Sequence, residues 1–393
     1  MGVLRKTSKI SGAILRRCST APLTAPSSSS TSSTDIANSF LQDHIRQMQT
    51  DILEKLIPHD SSGNVENLGD LNVTSNLGKM TEYYFMQGGK MLRPTVSLLM
   101  ASACNSSTNR RILKESQASC QKSPQSSNLS VCKNQYKIGM ISEMIHTASL
   151  VHDDVIDEAN TRRGSASVNA VWGNKMSVLV GDFILARTTQ ILCSTKNPQV
   201  ISVMAGIIED LVLGEFMQMA TPPKNTTPNQ KMTAYIEKTH RKTASLFANS
   251  CRSVAILADE TNASLQNLAY DYGRNLGIAF QLVDDLLDII ATENEMGKPT
   301  SIDLKLGLAT APVLFATQQF PELAELVARK FKNSGDIEKA TEIVANSNGI
   351  KMTRKLIAQY SEAAEKAASS LPNRNEATER LIELAISQSD RKF

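Results

Sequence analysis

Apolar residues recur every three or four positions along most of the chain. Over 265–290, Leu265, Leu268, Tyr272, Leu276, Ala279, Val283, Leu286 and Ile290 share one face of a 3.6-residue period, which predicts an amphipathic α-helix. The same stepping runs through 138–157, 176–191 and 201–219. No proline interrupts the chain between Pro124 and Pro198 or between Pro228 and Pro299, and the turn residues that would punctuate a series of strands are missing. The segment 105–135, rich in Ser, Asn, Lys and Gln, breaks the pattern and reads as a long surface loop. No repeat of solenoid period is present. The pattern predicts one all-α domain over residues 35–393.

Composition adds an address. Of 42 basic residues, five (Arg5, Lys6, Lys9, Arg16, Arg17) lie in residues 1–34, which hold no acid and many serines. That is the composition of an organellar presequence, and the Ser/Thr run 27–34 reads as a flexible joint. The rest of the chain carries 37 basic and 39 acidic groups. So even a balance argues against nucleic-acid binding, which needs a basic face. No uncharged apolar run is long enough to span a bilayer. Six scattered cysteines with no C-x-x-C pair suit a reducing compartment and form neither a disulfide framework nor a zinc site.

Two acidic motifs carry the chemistry. Asp153-Asp154-x-x-Asp157 and Asp284-Asp285-x-x-Asp288 both interrupt apolar helical stretches. Residues i and i+4 lie on one side of a helix, so Asp153 and Asp157 point together, as do Asp284 and Asp288. Like charges so placed destabilise a helix by about 0.2–0.5 kcal/mol per pair. Carboxylates beside an apolar face also carry a desolvation cost. A hard divalent cation removes the repulsion, and Mg²⁺ takes one or two carboxylates together with substrate phosphates. One such motif is compatible with a solvated acidic face; two point to a phosphate-bearing substrate held between them.

The basic residues suit the same substrate. Gly88-Gly89-Lys90-x-x-Arg93-Pro94 places a lysine and an arginine at a helix start, an anion site. Arg162 and Arg163 follow the first motif in a loop marked by Gly164, and arginine forks match diphosphate oxygens. Lys242 and Thr243 open a helical run. Lys298 follows Gly297, His146 shares the stripe of Asp153, and Gln281 shares that of Asp284, Asp285 and Asp288. Each taken singly reads as a surface charge or, for His146, as a core histidine. Together they surround the two acidic motifs.

The ordered set G-G-K-x-x-R-P, H-T-A-S-L-V-H-D-D-V-I-D, R-R-G, K-T-A, F-Q-L-V-D-D-L-L-D and G-K-P-T-S-x-D-L-K resembles the trans-prenyltransferases, or polyprenyl diphosphate synthases, from Leu71 to the C-terminus. The resemblance implies an antiparallel helical bundle of the isoprenoid synthase type around a central cavity, with the two Asp motifs facing each other at its mouth. It implies a long-chain all-trans synthase that condenses isopentenyl diphosphate onto an allylic diphosphate such as farnesyl diphosphate, supplying the ubiquinone side chain in the mitochondrial matrix. About three Mg²⁺ ions per site are implied, held by Asp153, Asp157 and Asp284 with Asp154, Asp285 and Asp288. Arg162, Lys242 and Lys298 would clamp the allylic diphosphate, Thr243 and Gln281 would stabilise its cationic end, and Lys90, Arg93, His146 and Arg163 would hold isopentenyl diphosphate. The small Ala148 and Ser149, with Met144 and Ile145 a turn deeper, are expected to leave the path of the growing chain open. The implied assembly is a homo-oligomer or a pair with a dissimilar synthase subunit, with peripheral membrane contact for product release.

Three other readings were weighed. A class I terpene cyclase would pair one D-D-x-x-D with a different second motif and use more aromatics than 5%. A di-iron bundle oxygenase could use Glu143-x-x-His146 and Glu237-x-x-His240, but leaves both D-D-x-x-D motifs without work. A non-catalytic partner subunit would be expected to have lost its carboxylates.

Overall fold

The computed structural model describes residues 33–57, 73–86, 89–105, 130–220, 226–290 and 301–390. The leader expected over 1–34 lies outside the described residues except for its last two, as do 106–129 of the expected loop and Lys298. Among the described residues the helices are α1 (Ser33–Leu56), α2 (Val73–Met86), α3 (Leu92–Cys104), α4 (Lys133–Ile156), α5 (Val168–Trp172), α6 (Asn174–Cys193), α7 (Pro198–Met219), α8 (Pro228–Thr239), α9 (Ser245–Ala258) and α10 (Ala263–Ile290). Six more complete the chain: α11 (Ile302–Lys305), α12 (Ala311–Ala316), α13 (Glu322–Ala328), α14 (Asp336–Asn346), α15 (Gly349–Ser369) and α16 (Glu376–Asp390). A single π turn, His240–Ala244, joins α8 to α9. The all-α expectation is met, with one addition: a two-stranded hairpin, β1 (Thr161–Arg162) and β2 (Ser165–Ala166).

Helices α3 and α9 are buried nearly all round and form the centre of the bundle, as uniformly apolar helices must. Around them α4 packs on α3 and α6, while α10 packs on α9 and α15. The expected stripe on α10 is the one that faces inward: Leu265, Tyr272, Leu276, Ala279, Val283 and Leu286 are buried. Helix α10 crosses closely over the π turn that leads into α9 because Gly277 has no side chain. A Cβ there would stand 2.6 Å from Ala244 Cα.

The loop expected over 105–135 ends earlier than its polarity suggests. Cys132 caps α4, accepting from Gln135 N–H through its sulfur, while its own N–H donates to Gln135 Oε1. Asn105 and Gln135 exchange two amide hydrogen bonds of 2.9 and 3.1 Å, and Gln135 also donates to Val254 O. Both ends of the expected loop are thus buried and tied together. Helix α6 is long and apolar enough to cross a membrane by length and composition. It carries Lys175, Asp182 and Arg187, however, and packs along α4 in the bundle.

Candidate functional site

Helices α4, α6 and α7 line a half-open cavity of about 260 Å³, with Ile145, Leu185, Leu211 and Phe216 among its apolar lining and Ser149 beside them. It turns polar where His152, Asp153, Glu215 and Lys242 meet. Lys242 Nζ lies 4.0 Å from Asp153 Oδ2, donates to Gln218 Oε1 at 3.4 Å, and is in direct contact with Glu215. Burial pushes the Asp153 carboxyl up to about 7; Lys242 opposes this, and Glu215 and Asp157 add to it. Asp157 ends α4 as its C-cap, and its carboxyl is also raised by burial.

Asp154 turns to the other side of α4. It is fully buried, and Arg162 donates to its Oδ1 from Nε at 2.9 Å and from Nη2 at 2.5 Å. The arginine is carried by the hairpin, whose two-residue turn has Arg163 at φ 52° and Gly164 at φ 79°. Paired positive φ values are what a tight hairpin requires. The Arg163 backbone is strained by that geometry. Its guanidinium lies on Gly89, where a Cβ would stand 2.9 Å from Nη1. Tyr83 pins the hairpin by donating to Ala166 O at 2.8 Å and packing edge-on against Trp172.

The second motif is bound into a hydrogen-bonded chain. Thr243 Oγ1 donates to Gln281 Oε1 at 2.8 Å, and Gln281 Nε2 donates to Asp285 Oδ1 at 2.8 Å. Tyr235 Oη donates to Asp285 Oδ2 at 2.5 Å. Asp288 receives the backbone N–H groups of Ile302 and Asp303, one on each oxygen at 3.0 Å. Asp284 is half-buried. Burial lifts the Asp303 carboxyl to about 8, reinforced by Asp285 and Asp288. Lys238, half-buried beside Tyr235, lies within the field of Asp285 and Asp303 and of Glu215.

The π turn links the two motifs. Its neighbours Lys242 and Thr243 reach Asp153 on α4 and Gln281 on α10, respectively. Such turns widen the helix by one residue and are frequent at functional sites.

A third group assembles around the start of α3. Arg93 sits 5.0 Å over the Phe247 ring, and burial lowers its guanidinium to about 10, against the pull of Glu143 and Asp284. Its Nε has no hydrogen-bond partner among the described residues. Burial and the charges of Arg93, Arg163 and Arg162 hold His146 well below its ordinary value, so it is neutral. Lys90 is exposed on the same loop. A neutral imidazole among three guanidinium groups is a site for an anion.

Ser149 lines the apolar cavity, as does Ile145. Ala148 does not, nor does Met144: both are fully buried in the packed core on the other side of α4. Of the expected chain-length residues, the structure thus brings Ser149 and Ile145 to the cavity and leaves Ala148 and Met144 in the core. Glu215, Gln218, Tyr235, Lys238 and Asp303 are site neighbours that sequence reasoning passed over. Glu215 had a signal, a lone acid in the apolar run V-L-G-E-F-M. Asp303 stood in a quoted motif without a role.

No group of three His, Cys, Asp or Glu side chains is gathered as a metal cage among the described residues. Of the residues the di-iron reading needs, Glu237 is instead held by Arg241 at 2.8 Å and His240 faces Tyr270.

Residues 74–344 match the polyprenyl synthetase family. The chain is 47% identical over 298 residues to the all trans-polyprenyl-diphosphate synthase of Homo sapiens, an alignment covering 76% of this chain and 67% of that one. It is 44% identical over 304 residues to solanesyl-diphosphate synthase 1, mitochondrial, of Oryza sativa subsp. japonica, with 76% and 67% covered. The fold matches a crystal structure of polyprenyl synthase from Caulobacter crescentus, complexed with calcium and isoprenyl diphosphate, at a TM-score of 0.73 and 27% identity, covering 93% of this chain and 99% of that one. The helical fold is shared with that structure, and with most of its length matched by the family the chain belongs to the polyprenyl synthetase family of prenyltransferases.

Proposed function

We propose that the chain extends an allylic diphosphate such as farnesyl diphosphate with isopentenyl diphosphate, repeatedly, to a long all-trans polyprenyl diphosphate for the ubiquinone side chain. The observation that carries this is the apolar cavity that turns polar only at His152, Asp153, Glu215 and Lys242. Asp153, Asp157 and Asp284 would hold Mg²⁺. The carboxylate donor set suits that ion. When bound, Mg²⁺ supplies the charge that stabilises the departing diphosphate.

The chain's own residues supply the rest. Lys242 stands beside Asp153 to meet the allylic diphosphate, and Arg162 and Lys298 complete the clamp. Thr243 and Gln281 place oxygen dipoles where positive charge develops, a preorganised arrangement. Arg93, Arg163, Lys90 and neutral His146 bind isopentenyl diphosphate, and Arg93 Nε supports this as a buried donor awaiting an acceptor. Asp154, Asp285 and Asp288 act through their partners: Asp154 holds Arg162, Asp285 orients Gln281, and Asp288 anchors the start of α11. The product grows along Ser149 and Ile145.

Leu179 on α6 is an exposed apolar residue, as are Val212, Phe216 and Met219 on α7, which border the open side of the cavity. They support assembly with a second copy or a dissimilar subunit. The acid-free leader supports delivery to the mitochondrial matrix. Labelled isopentenyl diphosphate and farnesyl diphosphate given to the protein, alone and with a co-expressed partner, should yield long-chain products that chromatography sizes. Asp153→Ala and Asp284→Ala should abolish them. Full turnover by either variant at saturating Mg²⁺ refutes the metal site. A reporter fused to residues 1–34 should enter mitochondria, and a cytosolic reporter refutes the address.

A further inference from the structure

Tyr84, on α2, is 2% exposed, and its hydroxyl has no hydrogen-bond partner among the described residues. It lies among Arg162, Asp154, Arg163 and Asp153, whose charges all act on it. On the other side of this space, Asp154 spends one oxygen on Arg162 while its Oδ2 is buried and equally without a partner. A third such atom is close in the chain fold: Asn169 gives both amide protons away, to Asp154 O and Ala159 O, and its Oδ1 is left. The packing brings these segments together, because Tyr83, next to Tyr84, rests on Trp172, one turn from Asn169.

A buried donor and a buried carboxylate oxygen, both unmet within one charge cluster, are costly. A water needs a polar site and two to four partners to occupy such a place. A water bridging the three would accept from the phenol and donate its two protons to Asp154 Oδ2 and Asn169 Oδ1. Polar groups that face each other beyond direct reach are commonly joined in this way.

We propose that Tyr84 is a positioning residue for the allylic-diphosphate clamp: through one buried water it fixes the Asp154 carboxylate, which in turn holds the Arg162 guanidinium toward the substrate. The arrangement explains why α2, remote in sequence from either acidic motif, buries a tyrosine rather than a phenylalanine at this position. Tyr84 also borders the space lined by Glu143 and Arg163, and the effect proposed here runs through Asp154 to Arg162. The inference rests on the reading of Arg162 as part of the allylic clamp.

The test uses the full chain with Mg²⁺ and one substrate at a time, so that binding is read without turnover. Tyr84→Phe keeps the ring and removes only the hydroxyl. It should weaken farnesyl diphosphate binding by about tenfold, leave isopentenyl diphosphate binding within about twofold, and leave the melting curve cooperative. Asp154→Asn provides a second variant with the same direction of effect. In an Arg162→Gln background, Tyr84→Phe should cost nothing further, the non-additivity expected of one connected unit. If Arg162→Gln weakens farnesyl diphosphate binding and Tyr84→Phe does not, the positioning role is wrong while the clamp stands. If Arg162→Gln has no effect, the clamp reading falls and the proposal with it. Equal weakening of both substrates by Tyr84→Phe would mark a general packing role and also overturn it.

Discussion

Lys242 Nζ stands 4.0 Å from Asp153 Oδ2 and touches Glu215, so a single ammonium is shared by two carboxylates from different helices. The lysine does electrostatically, without metal, part of what a divalent cation and its diphosphate would do together. Removing it should leave two buried acids facing each other. Lys242→Met is expected to lower turnover by roughly 10²-fold or more, with the helical signal intact. Steady-state kinetics across a Mg²⁺ titration checks this, and near-normal turnover would exclude Lys242 from the clamp.

Stability of the metal-free protein should depend on pH in an unusual direction. Asp153 is raised to about 7 and Asp303 to about 8, from an ordinary 3.8. Between the ordinary value and these raised values the folded chain keeps protons that the unfolded chain has released. Stability therefore falls as pH rises through that window and levels off above it. Thermal melts in chelator should show a declining midpoint from about pH 5 to about pH 8. Asp303→Asn should flatten part of the slope, and a midpoint that climbs over this range would contradict the burial of these acids.

Product length should respond to Ser149 and not to Ala148. Ser149→Phe projects into the cavity and is expected to give a folded enzyme with shorter products. Ala148 is packed on all sides, so Ala148→Phe should instead destabilise the fold by about 1–3 kcal/mol. Product chromatography and denaturant melts separate the two outcomes. Long products from a well-folded Ser149→Phe variant would place the growing chain elsewhere.

The close crossing at Gly277 gives a further test. A methyl group there meets Ala244 at 2.6 Å, next to Thr243, whose hydroxyl bonds to Gln281. Gly277→Ala should cost about 1–3 kcal/mol of stability. It should also lower kcat beyond what the remaining folded fraction explains. A loss of stability with unchanged kcat per folded molecule would separate this helix crossing from the chemistry.

The helical bundle and the neighbourhood of the site are legible in the chain because both rest on local spacing. The stripe from Leu265 to Leu286 and the two D-D-x-x-D motifs need only the geometry of one helix. The division of labour among the aspartates is not local. Asp285 is claimed by Tyr235, fifty positions away in the chain, and Asp288 by the backbone of Ile302 and Asp303. Neither partner carries a mark of its role. Ala148 and Ser149 are adjacent and both small, and only the rotation of α4 against α6 and α7 decides which one sees the cavity. The hairpin was missed because Arg163-Gly164 lacks the asparagine or aspartate that announces a tight turn.

The wide turn at His240–Ala244 contains one residue more than the α-helical turn it replaces. Excising a single residue there would let Pro228–Ala258 close into one uninterrupted rod. The inward stripes of α8 and α9 would stay in phase with the bundle, so the scaffold would survive the deletion. Lys242 and Thr243 would be swung off their partners on α4 and α10. The surplus residue acts as a built-in insertion that turns two consecutive side chains toward two different helices.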